Sequence, residues 1–107
     1  MAKRPKFTLT YAPQAIDHLD RIESKYHGLL RRTIKEQLTN TPTDETMNRK
    51  PLEPPAPFGA AWELRCGPNN RFRVLNDADS ATLAVWILAI GIKDRNRLLI
   101  GEEEYES

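Results

Sequence analysis

The sequence predicts an α+β domain, in which two N-terminal helices pack on one face of a mainly antiparallel four-stranded sheet. Three observations predict this fold. Apolar residues recur at helical spacing between residues 13 and 39, two stretches after residue 60 alternate apolar and charged residues, and one later stretch is apolar almost throughout. The chain has 107 residues, which is enough for one core, so we expect residues 1–107 to form a single domain.

The N-terminal part predicts one strand and two helices. Phe7 to Tyr11 alternates and is rich in β-forming residues, and Pro13 suits the first turn of a helix. Two apolar stripes follow at helical spacing, and their members are Ile16, Leu19, Ile22 and Tyr26, then Leu30, Ile34 and Leu38. Gly28 interrupts the period, which favours two antiparallel helices over one bent helix.

Residues 40–60 hold five of the eight prolines. Proline disrupts both helices and sheet ladders, so we expect no regular structure across this stretch. It is predicted to be a surface loop that packs through Leu52 and Phe58.

The next two stretches predict a hairpin. Trp62-Glu63-Leu64-Arg65-Cys66 and Arg71-Phe72-Arg73-Val74 alternate, and the turn signal Gly67-Pro68-Asn69-Asn70 lies between them. If the apolar members share one buried face, the register follows, because a slip of one residue would expose one strand's apolar set. In this register Cys66 pairs with Phe72, Leu64 with Val74, and Arg65 with Arg73.

The facing arginines are the most informative feature for function. Like charges directly opposite each other weaken a sheet. Arg65 and Arg73, with Arg71 close by, therefore predict that an anion binds between them, and phosphate fits the forked guanidinium geometry. The alternative is a solvated sheet face on which each arginine bends toward Glu63 or another acid.

The C-terminal third predicts a central strand and a loose tail. Thr82 to Ile90 is apolar almost throughout, which is typical of a mid-sheet strand buried on both faces, and Gly91 is expected to end it. Lys93, Arg95 and Arg97 follow on a polar segment. Residues 102–107 carry four glutamates, and we expect a frayed, solvated tail. Without them 16 basic residues face 11 acidic ones, which is compatible with binding nucleic acid.

Several classes of protein are disfavoured. The longest apolar run, Leu83 to Ile90, is too short to cross a bilayer, and the basic segment Met1 to Lys6 leads into no apolar signal region. A single cysteine, Cys66, cannot form an internal disulfide. The sequence therefore predicts a cytoplasmic protein with no membrane partner. His18 and His27 have no Cys or His partner at ligand spacing, so no metal and no cofactor are predicted.

The chain contains three successive motifs, which are Trp62 to Gly67, Arg71 to Leu75, and Ile87 to Arg97. Together these motifs resemble the RelE/ParE toxin superfamily. The resemblance implies the toxin of a bacterial type II toxin–antitoxin pair, held inactive by a cognate antitoxin. RelE-like members cut mRNA in the ribosomal decoding site, so ribosome and mRNA would be partners. ParE-like members poison DNA gyrase instead, and a weakened member would bind only its antitoxin.

The resemblance also implies roles for individual residues. Arg73 matches the family's phosphate-binding arginine, Arg65 a recurrent arginine of the preceding strand, and Lys93 a basic residue after the last strand. The expected catalytic residues are Arg73, Arg65, Lys93 and Arg95, and the expected RNA-binding residues are Arg71 and Arg97.

The proton-transfer residues of RelE are not evident in this chain. Ala61 and Glu63 stand where RelE has lysines, and Leu99 stands where it has a tyrosine. Tyr105 could substitute only if the tail folds back. Glu63 could serve as a general base, and its alternative role is that of a salt-bridge partner.

Overall fold

The structure, a computed structural model, describes residues 5–106. The basic residues 1–4 and Ser107 lie outside this range. In chain order the elements are β1 (Thr8–Tyr11), α1 (Pro13–Asp20), α2 (His27–Leu38), β2 (Arg49–Pro51), β3 (Trp62–Cys66), β4 (Phe72–Asp79), β5 (Ala84–Asp94), β6 (Arg97–Ile100) and β7 (Glu103–Glu106). Short 3₁₀ turns lie at Ser24–Tyr26, Pro57–Gly59 and Pro68–Asn70. Within the described range no helix is long and apolar enough to span a membrane.

The strands form one sheet in the order β2-β3-β4-β5-β6-β7, and β1 pairs with β5. Every pairing is antiparallel except the parallel one between β1 and β5. The mainly antiparallel α+β architecture is therefore confirmed, but the sheet has seven strands where four were predicted. The strands that the prediction missed, β2, β6 and β7, are three or four residues long.

Two helices are confirmed, and both pack on one face of the sheet. Their buried residues join those of the central strands in the main core, which includes Ala15, Leu19, Leu30, Ile34, Leu38, Leu64, Phe72, Val74, Val85, Ile87 and Ile90. The predicted stripe on α1 is wrong at one position, because Ile16 is 43% exposed while Ala15 is fully buried. Gly28 does not separate the helices, since it is the second residue of α2.

The predicted hairpin register between β3 and β4 is confirmed. Cys66 pairs with Phe72, Leu64 with Val74, and Arg65 with Arg73. The pleat alternates side chains between the two faces, so Leu64 and Val74 face the helices while the two arginines face the other way.

The proline-rich segment is more ordered than predicted. It contains the strand β2, whose Pro51 is tolerated because β2 is an edge strand. Leu52 packs against a second core on the face away from the helices, formed by Ala60, Leu75, Ala89, Leu98 and Ile100. Phe58 remains partly exposed, and its ring packs edge-on against His18 at 5.6 Å between centroids.

The strand β5 continues through Gly91 to Asp94, so the prediction that Gly91 ends it is wrong. A Cβ at this position would lie 2.8 Å from both Ile100 Cγ1 and the Leu99 carbonyl oxygen. Glycine here permits the close approach of β6. The strand is mid-sheet as predicted, but Trp86 is 47% exposed, so burial on both faces does not hold along its whole length.

The acidic tail is not frayed, because Glu103–Glu106 forms β7 and pairs with β6. Leu98 lies opposite Tyr105 in this pairing. The Tyr105 ring lies 6.0 Å from that of Phe58 and packs on the second core. The packing of Tyr105 and the backbone hydrogen bonds to β6 thus order an acidic segment that was predicted to be frayed.

The edge of β5 opposite β4 is shared by two strands that leave a gap between them. β1 pairs with residues 84–87 and β6 with residues 91–94. Side chains of α1 satisfy backbone groups in this gap. Gln14 Nε2 donates to the Leu88 carbonyl at 3.1 Å, and the Ile90 N–H donates to His18 Nδ1 at 3.3 Å. The helix therefore completes the hydrogen bonding of the sheet.

Candidate anion-binding site

The face of the sheet away from the helices carries the arginine pair. A pocket of about 310 Å³ lies there, near the lower limit of common ligand pockets. Its charged lining comes from Glu53, Glu63, Arg65, Arg73 and Lys93, and its apolar lining from Leu52, Pro55, Ala56, Pro57, Leu75 and Leu98. The prolines that prevent long regular structure in the loop thus form one side of a cationic pocket.

Glu63 lies between the two arginines. Its Oε2 accepts a hydrogen bond from Arg65 Nε at 3.0 Å and one from Arg73 Nη1 at 3.3 Å. Arg73 also donates from Nε to the Asn70 carbonyl at 3.1 Å. Bending of both arginines toward Glu63, the alternative weighed from the sequence, is therefore the arrangement in the structure. The carboxylate offsets the repulsion between the facing guanidinium groups.

The solvent exposure differs among the three residues of this cluster, Glu63, Arg65 and Arg73. Glu63 is buried as a residue, with 8% of its surface exposed. The side chains of Arg73 and Arg65 are 13% and 37% exposed. Arg73 is therefore the more fixed of the two arginines, and Arg65 lies closer to solvent.

A second pocket adjoins the first and contains other predicted residues. It has a volume of about 630 Å³ and is lined by Pro68, Asn69, Arg71, Ile92, Lys93, Asp94, Arg95 and Leu99. Lys93 lines both pockets. Arg71 stacks over the Phe72 and Tyr26 rings, with its guanidinium carbon 5.3 and 5.9 Å from their centroids. Arg95 is exposed in the turn between β5 and β6, with a φ of 58°.

Arg97 is set apart from the other predicted residues. It contributes to the lining of neither pocket. Its guanidinium binds Asp94 Oδ2 at 3.1 Å and Glu104 Oε1 at 3.8 Å. The structure thus brings five of the six predicted residues to two neighbouring pockets and places the sixth in an exposed charge cluster.

The tail folds back, but it does not bring a tyrosine to the arginine pair. Tyr105 lines a separate pocket of about 290 Å³ together with His18 and Phe58. Leu99 lines the second cationic pocket. No histidine or tyrosine is among the residues, within the described chain, that line the two cationic pockets. The acids in the described part of their lining are Glu53, Glu63 and Asp94.

His18 is a polar group that the sequence did not connect to the sheet. Because its Nδ1 accepts the Ile90 N–H, the neutral ring carries its proton on Nε2. Burial lowers the pKa of His18, Asp17 raises it, and Arg21 lowers it further. The only sequence signal was its i, i+4 spacing from Gln14, which puts both side chains on one side of α1.

Cys66 is buried, and the acidic groups of residues 5–106 form no metal-binding cluster. Burial raises the pKa of the Cys66 thiol to about 11, so the group is a neutral thiol near pH 7. In residues 5–106 no three His, Cys, Asp or Glu side chains come together in a way that could hold a metal ion.

Comparison with known proteins identifies the fold. No protein-family model and no curated protein sequence matches this chain. Among solved structures, a chain of the toxin–antitoxin complex RelBE2 from Mycobacterium tuberculosis matches with a TM-score of 0.64 and 18% sequence identity. The match covers 82% of this chain and 99% of that chain. The RelE-like fold predicted from the sequence is therefore confirmed.

Proposed function

We propose that residues 1–107 form the toxin of a type II toxin–antitoxin pair, whose protein partner is a cognate antitoxin. The RelE-like fold supports this proposal, since a solved structure that shares it is a toxin–antitoxin complex. The three motifs in β3, β4 and β5 support it from the sequence.

The activity that we propose is ribosome-dependent cleavage of mRNA, which would stop translation in the cytoplasm. The observation that carries this proposal is the cationic pocket in which Arg65, Arg73 and Lys93 lie beside an apolar loop. In this cleavage the ribose 2′-oxygen forms a bond to the neighbouring phosphorus while the bond from phosphorus to the 5′-oxygen breaks, which leaves a 2′,3′-cyclic phosphate. Solvent takes the proton of the 2′-hydroxyl and protonates the departing 5′-oxygen. Negative charge builds on the phosphate oxygens during the step. Guanidinium and ammonium groups that lie beside apolar side chains stabilise that charge more than they would in water.

The roles of the residues follow from their positions. Arg73 and Arg65 would bind the scissile phosphate, and Lys93, shared by the two pockets, would stabilise the developing charge together with Arg95. Arg71 would bind the flanking RNA, held in place by its aromatic neighbours. Arg97 would contact RNA only at the rim, because two carboxylates already bind it. The ribosome would supply the alignment of the RNA, and alignment alone accelerates such reactions strongly.

One observation favours a second function, inhibition of DNA gyrase without nuclease chemistry. The described lining of the cationic pockets includes no histidine or tyrosine, and Glu63 is held by two arginines. A protein that only binds its target needs no group for proton transfer. A weakened member that binds only its antitoxin would need none either.

The test is to induce the chain alone in bacterial cells and to pulse-label protein and DNA synthesis in parallel. We expect protein synthesis to fall promptly while DNA synthesis is initially spared, and mRNA ends should then map to ribosome-bound codons. An early loss of DNA synthesis would favour gyrase as the target. No effect on either would leave a protein that only binds its antitoxin.

The residue test is Arg73→Ala, with Arg32→Ala as the matched control. Arg32 is an exposed arginine on α2, on the opposite side of the sheet from the pocket. We expect Arg73→Ala to abolish toxicity in a folded protein, because the better fixed phosphate-binding group is lost, and Arg32→Ala to remain toxic. A folded Arg73→Ala protein with full toxicity would show that the site is assigned to the wrong residues.

A further inference from the structure

Glu63 occupies the place in which the two arginines would hold a ligand phosphate. One carboxylate oxygen, Oε2, accepts hydrogen bonds from both guanidinium groups. A phosphate oxygen bound between the same two groups would need the same donors. The site is thus already occupied by an anion that belongs to the chain.

The occupation is partial, since only some of the donors are used. Arg65 gives one N–H group to Glu63, while Arg73 gives one to Glu63 and one to the Asn70 carbonyl. A guanidinium has five N–H donors. Among residues 5–106 the remaining donors of the pair have no protein acceptor, so an incoming anion can contact them first and must then displace the carboxylate to gain the two donors that Glu63 holds.

The position of Glu63 makes its charge effective. Its side chain is 10% exposed, and the proline-rich loop, whose lining residues are apolar except for Glu53, forms the other side of the pocket. Charges in such surroundings are weakly screened and act over several ångströms. Glu63 therefore orders the two arginines and at the same time repels any other anion that approaches them.

We propose that Glu63 is an internal competitor for the phosphate site, which makes tight binding depend on a partner that presents the RNA. This inference rests on the proposed function. A phosphate free in solution must displace the Glu63 carboxylate while the concentration of that phosphate is low. A phosphate held in place by a larger assembly is present at a high effective concentration and competes successfully. Glu63 thus determines specificity, by rejecting free phosphates and unpresented RNA.

The first experiment measures the affinity of the purified chain for inorganic phosphate and for a uridine hexanucleotide at fixed ionic strength, by calorimetry. Glu63→Gln keeps the shape of the side chain and removes its charge, so we expect about tenfold tighter binding of both probes. Glu36→Gln is the matched control, because Glu36 is an exposed acid on α2, on the opposite side of the sheet from the pocket. We expect it to change the affinity less than about twofold.

Two results would overturn the inference. Unchanged affinity in a folded Glu63→Gln protein would show that the carboxylate does not compete. Weaker binding would show that its ordering of the arginines matters more than its charge. The double variant Glu63→Gln, Arg73→Ala must lose the gain, since the gain is assigned to the arginine pair.

A second measurement does not depend on the variant folding. Wild-type chain labelled with carbon-13 at the glutamate carboxyl is titrated with phosphate and followed by NMR. Displacement predicts that the Glu63 carboxyl signal moves toward the position of a solvated carboxylate as phosphate saturates the site. A signal that stays in place at saturation contradicts displacement. These binding results stand apart from the toxicity tests, so failure of the proposed function and failure of this inference are distinguishable.

Discussion

At the scale of single residues, the pairing of Arg65 with Arg73 followed from the sequence because apolar alternation determines the register of a hairpin. Their shared contact with Glu63 remained one of two alternatives. Whether the arginines bind Glu63 or remain solvated depends on how deeply the carboxylate is buried. The loop that covers Glu63, Arg65 and Arg73 consists of residues 52–57, and these residues have no periodic pattern from which their position in the fold could be predicted.

Arg49 is the clearest residue that sequence analysis overlooked. It is buried, and its Nη1 donates to the Gln37 carbonyl and to Thr41 Oγ1, the latter at 3.0 Å. Gln37 lies in the last turn of α2, where a cation is favoured by the helix dipole. A single arginine among prolines carries no pattern that would reveal this role.

We expect Arg49→Ala to lower the free energy of unfolding by about 3 kcal/mol, because it removes charged hydrogen bonds and leaves a cavity. Urea denaturation measures the change. Arg32→Ala, at an exposed position of α2, should change it by less than about 0.5 kcal/mol. A loss below about 1 kcal/mol in Arg49→Ala would mean that the buried guanidinium contributes little beyond what its desolvation costs.

At the scale of elements, strong alternation and long apolar runs were predictive, and short strands were not. Apolar side chains mark the buried faces of three strands, which are β3, β4 and the start of β5. β7 consists of three glutamates and one tyrosine, and pairing with β6 overrides their low strand propensity. The sequence predicts a strand end at Gly91, because sequence alone does not distinguish a glycine that breaks a strand from one that lets a neighbouring strand approach closely.

Two glycines provide a matched test of these assignments. A Cβ on Gly91 would meet the Leu99 carbonyl oxygen at 2.8 Å, whereas a Cβ on Gly28 would meet nothing within 4 Å. We expect Gly91→Ala to destabilise the chain by about 2 kcal/mol, because β6 must move. Gly28→Ala should stabilise it by about 0.5 kcal/mol, because alanine favours the helix. Thermal unfolding of both variants would contradict this view if the two midpoints shifted in the same direction.

At the scale of the whole molecule, the candidate site draws on separate parts of the chain. β3 and β4 supply the arginines, β5 supplies Lys93, and the proline-rich loop and β6 supply apolar lining. The motifs predicted the charged groups, since they lie on regular strands. The separation into two pockets and the apolar loop beside one of them depend on tertiary packing, which has no local signal.

The pH dependence of stability should report the docking of α1 on the sheet. The titratable and charged groups around His18 are Asp17 on α1, Arg21 directly after α1, and Glu102, Glu103 and Tyr105 near the C-terminus. Burial lowers the pKa of His18 in the folded chain below its ordinary value of 6.5. The unfolded chain therefore binds more protons, so this contribution is fully present above pH 6.5 and is lost as the pH falls below it.

Urea unfolding between about pH 5 and 7.5 tests this expectation, since His titrates in that range. We expect His18→Gln to be less stable than wild type at the upper end and to have a shallower slope. Equal slopes in wild type and His18→Gln would exclude His18 as the titrating group.

The place of β5 in the sheet has a consequence for when the chain can fold during its synthesis. β5 pairs with β1, β4 and β6, so the sheet cannot close until residues 84–94 have been synthesised. A domain generally folds as a unit. The earlier strands cannot close the sheet alone, and the pocket lacks Lys93 and Leu98 until then. We therefore expect that a growing chain forms no complete pocket before residue 98 has left the ribosome, so the activity that we propose cannot begin earlier.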